Sequence, residues 1–285
     1  MTRHALTVDV EDWYQVENLR RVAPPERWGE FESRLRANMD TLLELLDRRG
    51  VKATCFVLGA AAARDPSVVR SIVERGHELG CHGWSHELVY RQDAATFRAE
   101  TRRAKAALED AAGSRVDGYR ASTFSITERS LWALDVLAEE GFVYDSSIAP
   151  LRHDRYGIPT APLDPHVRVL SAGRSIAEYP VSVMRVCGLR LPLGGGFFRL
   201  LPLRWTQRAL DAYAARGASA MLYLHPWELD PGQPRVRGLG TLRRFRHYAN
   251  LSGMRRKLDR LLQSHRFATI REAFRAAALP EARTP

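Results

Sequence analysis

Short apolar runs alternate with amphipathic stretches along most of the chain. Residues 4–10 (HALTVDV) read as a β-rich strand. Over 31–50, Phe31, Leu35, Met39, Leu42 and Leu46 recur at helical spacing, and Gly50 follows the last turn. A strand is expected at 52–59. Asp65-Pro66 opens a helix over 65–76 that stops at Gly76. A short strand, 77–82 (HELGCH), leads into a histidine-rich turn. The spacing then predicts a helix over 94–113, a strand at 116–120, a helix over 127–141 and a strand at 142–147. This alternation points to βα units on a largely parallel sheet.

After residue 150 the rhythm loosens. Pro150, Pro159, Pro162 and Pro165 mark long loops, and 177–184 reads as a strand. Gly194, Gly195 and Gly196 in a row imply close approach of backbone to another group. A helix at 203–217, a strongly apolar strand at 218–225 and a helical tail at 251–279 complete the pattern. The reading is one domain over 1–285, with 232–285 as a basic helical extension.

The composition suits a large core, with 285 residues of which 45% are hydrophobic. Cys55, Cys81 and Cys187 have no paired spacing, so they read as small buried apolar residues in a reducing compartment. Polar sequence begins almost at once and no long apolar run follows, so a soluble cytoplasmic protein is expected. Lys and Arg outnumber Asp and Glu by 43 to 33, and the excess gathers at 235–260. No zinc finger, RNA-recognition signature or basic zipper accompanies it, which argues against nucleic acid. A basic tail is compatible with peripheral docking on a membrane or on a lipid phosphate.

The predicted strands end in reactive groups. The first ends in Asp9, Glu11 and Asp12, and that at 77–82 ends in His82, with His86 four residues on. The strands at 116–120, 142–147 and 218–225 carry Arg120, Asp145 and His225. In parallel βα architectures the carboxyl ends of the strands form the active face. A buried strand finishing in three carboxylates calls for a cation. Two histidines and one carboxylate make a three-ligand catalytic metal set, which leaves a second carboxylate as base. Arg120 would clamp Asp9 by bidentate hydrogen bonds. His225 would protonate a leaving group, with Asp145 orienting it. Trp13, Trp84 and Trp227 flank these ends as core packing or as walls for a sugar.

These residues, in this order, resemble the polysaccharide deacetylase family, carbohydrate esterase family 4, with its NodB-type homology domain. The motifs are TVDVED (7–12), HGWSH (82–86), GYRASTFSI (118–126), YDSSIAP (144–150) and LYLH (222–225). DVEDWYQV (9–16), GGGFF (194–198) and LHPWELDP (224–231) resemble more narrowly the subfamily of exosortase-linked exopolysaccharide clusters. The resemblance implies a distorted (β/α) barrel with fewer than eight complete units and a C-terminal helical extension. It implies a divalent metal, commonly zinc, and hydrolysis of N-acetyl groups on amino sugars. Asp9 matches the base, His82 and His86 the metal histidines, Arg120 the positioning arginine, Asp145 the aspartate that tunes the catalytic histidine, and His225 that histidine. The family's adjacent Asp-Asp is replaced by Asp-Val-Glu-Asp, so the metal carboxylate is Glu11 or Asp12; Glu11 shares the strand face of Asp9. Thr123 matches the residue whose N–H completes the oxyanion site. The implied substrate is an N-acetylated exopolysaccharide or a lipid-linked precursor. Alternatives are a deformylase or amidase acting on a lipid-linked sugar or small cyclic amide, and a catalytically degenerate glycan-binding protein.

Overall fold

The structure, a computed structural model, describes residues 2–275. Its strands are β1 (His4–Val10), β2 (Thr54–Val57), β3 (Glu78–Cys81), β4 (Gly118–Tyr119), β5 (Tyr144–Asp145), β6 (His166–Val169), β7 (Ser175–Glu178), β8 (Val183–Val186), β9 (Leu189–Pro192), β10 (Met221–Leu224) and β11 (Phe267–Ala268). Its helices are α1 (Leu35–Arg49), α2 (Gly59–Arg64), α3 (Pro66–Glu74), α4 (Ala94–Ala112), α5 (Trp132–Glu139), α6 (Gly195–Leu200), α7 (Leu203–Ala215), α8 (Thr241–Tyr248), α9 (Leu251–Ser264) and α10 (Ile270–Ala273). Among the described residues no helix is long and apolar enough to cross a membrane.

One nine-stranded sheet organises the molecule, in the order β10-β1-β2-β3-β4-β5-β7-β6, with β11 also on β1. From β10 to β7 the neighbours run parallel; β6 joins antiparallel. The path curls like a barrel but does not close, in keeping with the expected incomplete (β/α) barrel. β1 is buried along its whole length, which is why it reads as apolar without strict alternation. Register levels the strand ends: Val8 faces Leu224, Val10 faces Val57, and Val57 faces Cys81. The residues just beyond therefore share one rim.

Local chemistry sets the helices. Asp65 caps α3 by accepting the Ser67 N–H at 3.1 Å, with Pro66 in the first turn. Asp93 caps α4 through the Thr96 N–H at 2.7 Å, and Gly113 ends it at φ 62°. Met39, Leu42, Leu43 and Leu46 of α1 are fully buried, each contributing about 1.5–3 kcal/mol of apolar burial.

Three expectations change. The strand expected at 177–184 divides around Pro180 into β7, in the main sheet, and β8, which pairs with β9 in a separate hairpin. The glycine run makes the close approach expected of it: a Cβ at Gly194 would fall 2.3 Å from the Tyr223 carbonyl oxygen. The tail is not helical throughout, because β11 returns to pair with β1. Of the expected 232–285 extension, residues 276–285 lie outside the described residues. Cys187, expected to be buried, is exposed on the β8–β9 turn, while Cys55 and Cys81 are buried.

Candidate active site

β1 delivers Glu11 one residue past its end, and β3 delivers His82. The chain then reverses through Gly83 at φ 77° and reaches His86 at φ 55°. The two histidines therefore sit on a tight turn, not on one face of a helical turn as their spacing suggested. A left-handed non-glycine residue costs energy that a functional site can repay. Ligand atoms of Glu11, His82 and His86 all lie within 4.8 Å of one another, and all three residues are buried. His86 Nε2 and Glu11 Oε2 approach to 2.8 Å. Yet this Glu11 oxygen and His86 Nδ1 make no hydrogen bond of good geometry. His82 Nδ1 meets the Arg120 carbonyl at 2.8 Å, so Nδ1 carries the proton and the Nε2 lone pair is left over.

Burial drives the His82 pKa down to about 4, which keeps its ring neutral near pH 7. Burial alone would raise Glu11, but His86, His225 and His82 bring it down to about 2. Two neutral-capable imidazoles and an ionised carboxylate, converging with unsatisfied lone pairs, fit a divalent cation of the zinc class. Glu11, His82 and His86 would hold it.

Asp9 is held from behind. Arg120 is fully buried, and Nη1 donates to Asp9 Oδ1 at 2.8 Å and to Thr7 Oγ1 at 2.7 Å. The other guanidinium donors reach Ser146 O, Ser146 Oγ and Met221 Sδ. The contact to Asp9 is thus a single prong, where a bidentate clamp was expected. Burying such a charge costs several kcal/mol unless its donors are taken, as here. Phe56 covers the guanidinium, its ring centroid 4.3 Å away.

His225 follows β10 and opens the 3-10 turn Pro226–Leu229. Its partner is Glu228, which the sequence reading left unassigned. Glu228 Oε2 lies 3.1 Å from both the His225 backbone N and its Nδ1. Nε2 then faces Glu11 Oε1 at 3.7 Å and Asp9 Oδ2 at 3.9 Å. Burial disfavours the charged ring, but Glu228, Glu11 and Asp9 outweigh it and raise the pKa to about 9. Trp227 stacks on His225, centroids 5.3 Å apart, and donates Nε1–H to Glu11 Oε1 at 3.3 Å. Buried Arg199 backs the group, 3.7 Å from Glu228 Oε1.

These residues line a cleft of about 200 Å³. Thr123 sits on its wall in the left-handed region, at φ 55°, as does Phe124, at φ 52°. A larger groove of about 550 Å³ lies between β8 and α7, but it is mostly apolar with arginines and holds no carboxylate or histidine.

Four sequence assignments move. Asp12 leaves the metal cluster: it accepts from Ser33 Oγ at 2.6 Å and from the Trp13 and Arg34 N–H groups, anchoring the entry to α1. Asp145 does not meet His225. Its oxygens bind Ser147 N at 2.9 Å and Ser147 Oγ at 2.6 Å. Trp13 is 1% exposed, donates to Glu32 O and packs edge-on against Tyr14 and Phe31, so it is core. Trp84 lies outside the cleft lining, under the Arg103 guanidinium at 3.6 Å.

A family model described as polysaccharide deacetylase matches residues 28–141, and a domain of unknown function, DUF3473, matches 146–275. The peptidoglycan-N-acetylglucosamine deacetylase PgdA of Listeria monocytogenes is 33% identical over 72 residues, 25% of this chain and 16% of that protein. A chitooligosaccharide deacetylase of a Bradyrhizobium species is 30% identical over 97 residues, 34% of this chain and 42% of that protein. The chain thus spans less than half the length of these relatives. A solved Mycobacterium smegmatis protein, described as a polysaccharide deacetylase, superposes over 100% of this chain and 93% of its own with TM-score 0.66 at 24% identity. The allantoinase Puue superposes over 97% and 91% with TM-score 0.62 at 18% identity. At such identities these two establish a shared fold alone. The stretch of this chain that resembles the polysaccharide deacetylase family model thus includes His82, His86 and Arg120.

Proposed function

We propose that the protein is a metal-dependent hydrolase that removes N-acetyl groups from amino sugars. The observation that carries this reading is the convergence of a two-histidine, one-carboxylate cluster with two separately held acid–base groups, Asp9 and His225. A divalent ion bound there, zinc by donor chemistry, would supply Lewis acidity that activates water and polarises the acetyl carbonyl. Glu11, His82 and His86 hold the ion. Asp9, aimed by Arg120, takes the proton of the attacking water. The Thr123 N–H, presented by its left-handed turn, donates to the developing oxyanion. His225, with Nδ1–H given to Glu228, delivers a proton from Nε2 to the departing amine. The products are acetate and a free amino sugar.

The finer setting rests on the resemblance: a cytoplasmic enzyme of exosortase-linked exopolysaccharide clusters, acting on a polymer or its lipid-linked precursor. One domain with a basic C-terminal extension fits it. So does peripheral membrane contact, since α8 exposes Leu242 and Phe245 beside Arg243 and Arg244. The test is metal content and acetate release from an N-acetylglucosamine oligosaccharide. His82→Ala and His86→Ala are each expected to lose both; full acetate release from a metal-free variant would overturn the proposal.

A further inference from the structure

We infer that the mouth of the cleft is a subsite for a negatively charged group, so that the sugar deacetylated belongs to an acidic glycan; this rests on the hydrolase reading above. Two arginines line the same cleft as the reactive residues, Arg155 from the loop after β5 and Arg246 from α8. Among the described residues neither forms an ion pair, whereas Arg199 in the same wall is occupied by the carbonyls of Arg246 and His247 and lies near Glu228. The Arg155 Nε–H is itself buried and finds no acceptor. A buried donor left unmade is costly, and a ligand that supplies the acceptor recovers that cost. Both arginines also disfavour the charged form of the His153 ring, so each lies within electrostatic reach of it.

The ground between them suits a sugar. Tyr156 lines the cleft and stacks on His153, centroids 4.1 Å apart and planes 23° apart, while its edge approaches Phe124 in the left-handed turn beside Thr123. Past Arg155 and Tyr156 lies a second hollow of about 350 Å³, lined by Tyr90, Thr127, Arg129 and His153. An acetamide at the Glu11–His225 centre would therefore put the neighbouring unit of the substrate against the two arginines. Acids also face this region. Glu17 is 3.3 Å from Arg91, Asp154 is 2.9 Å from His153, and Glu128 lines the far hollow. Glu17 lines the cleft and keeps Oε2 without a hydrogen bond, while Arg155 and Arg246 are the cations at the junction that no acid pairs among the described residues. A planar carboxylate or a phosphate accepts two guanidinium N–H groups at once.

The test compares three probes on the metal-loaded full chain. They are a hyaluronan tetrasaccharide, its carboxyl-reduced neutral form, and N-acetylglucosamine 1-phosphate. Acetate release gives kcat/KM, and calorimetry gives binding at low and high salt. The hyaluronan or the phosphate probe is expected to exceed the neutral form by about tenfold or more, the scale of one charge-assisted hydrogen bond. Which anion leads tells carboxylate from phosphate. Arg155→Gln with Arg246→Gln is expected to collapse the ratio and flatten the salt dependence; Arg246→Gln alone, at an exposed helix position, should lower it part-way. Equal use of charged and neutral probes, or a ratio that survives in the double variant, would overturn the subsite. Salt-sensitive binding that needs both arginines, without any acetate release, would uphold the subsite and sink the hydrolase reading. Hydrolysis blind to charge would do the reverse.

Discussion

β1 and β3 each have a histidine at their start and reactive groups at their end. At the lower rim, His4 Nδ1 accepts the Ala220 N–H and His77 Nδ1 accepts the Ala53 N–H, both at 3.1 Å. Burial lowers both rings to about 4, the same level as His82 at the upper rim. A depressed pKa therefore does not separate a structural histidine from a functional one here. What separates them is the group that meets the lone pair. Below, a backbone donor consumes it. Above, the His82 proton goes to a carbonyl and the remaining lone pair turns toward a carboxylate and another imidazole.

The sharpest way to break this contrast is Glu11→Gln set against Asp12→Asn. Glu11→Gln should cut kcat/KM at least about a thousandfold and lower metal content in proportion. Asp12→Asn should keep metal content and cost about 1–2 kcal/mol of stability through weakened bonds to Ser33 and Arg34. Loss of metal in the Asp12 variant would dissolve the distinction between the two acids. Next in size is Glu228→Gln. If Glu228 positions His225, kcat should drop about a hundredfold with KM little changed, and Glu228→Asp should recover part of it. An unchanged kcat would return the role to another acid.

The smallest effects belong to the lower rim. His4→Ala and His77→Ala should each cost about 1–3 kcal/mol in urea unfolding, because a buried N–H loses its acceptor. Acetate release per folded molecule should not change. Their pH signature has a definite sign. Between about 4 and 6.5 the unfolded chain holds a proton that the folded chain refuses, so stability falls as the pH drops through that window. Removing either ring should make the fall shallower; an identical slope would show that other groups govern it.

Much of this rim was legible in the sequence because parallel sheets put strand ends on one face. Asp9, Glu11, His82, Arg120 and His225 could be placed by counting strands. Glu228 was hidden by distance from that logic, since it lies four residues beyond the end of β10. The signal existed, in a His-Pro pair followed by Glu at the capping-box position. Asp145 ends a strand as expected, yet Ser147, two residues on, captures it locally. Trp13 and Trp84 show the limit of periodicity: it locates a ring at a strand end but not the side to which it turns. Arg155 comes from a proline-rich loop whose course no pattern of alternation specifies.

β1 also carries a lesson in timing. The strand that bears Asp9 and leads into Glu11 takes Thr54–Val57 on one side, but its other neighbours are Met221–Leu224 and Phe267–Ala268. Pairings separated by more than two hundred residues close late and slowly. A nascent chain must therefore hold this strand half-partnered until residues 221–268 have emerged, and the reactive rim matures only after they do.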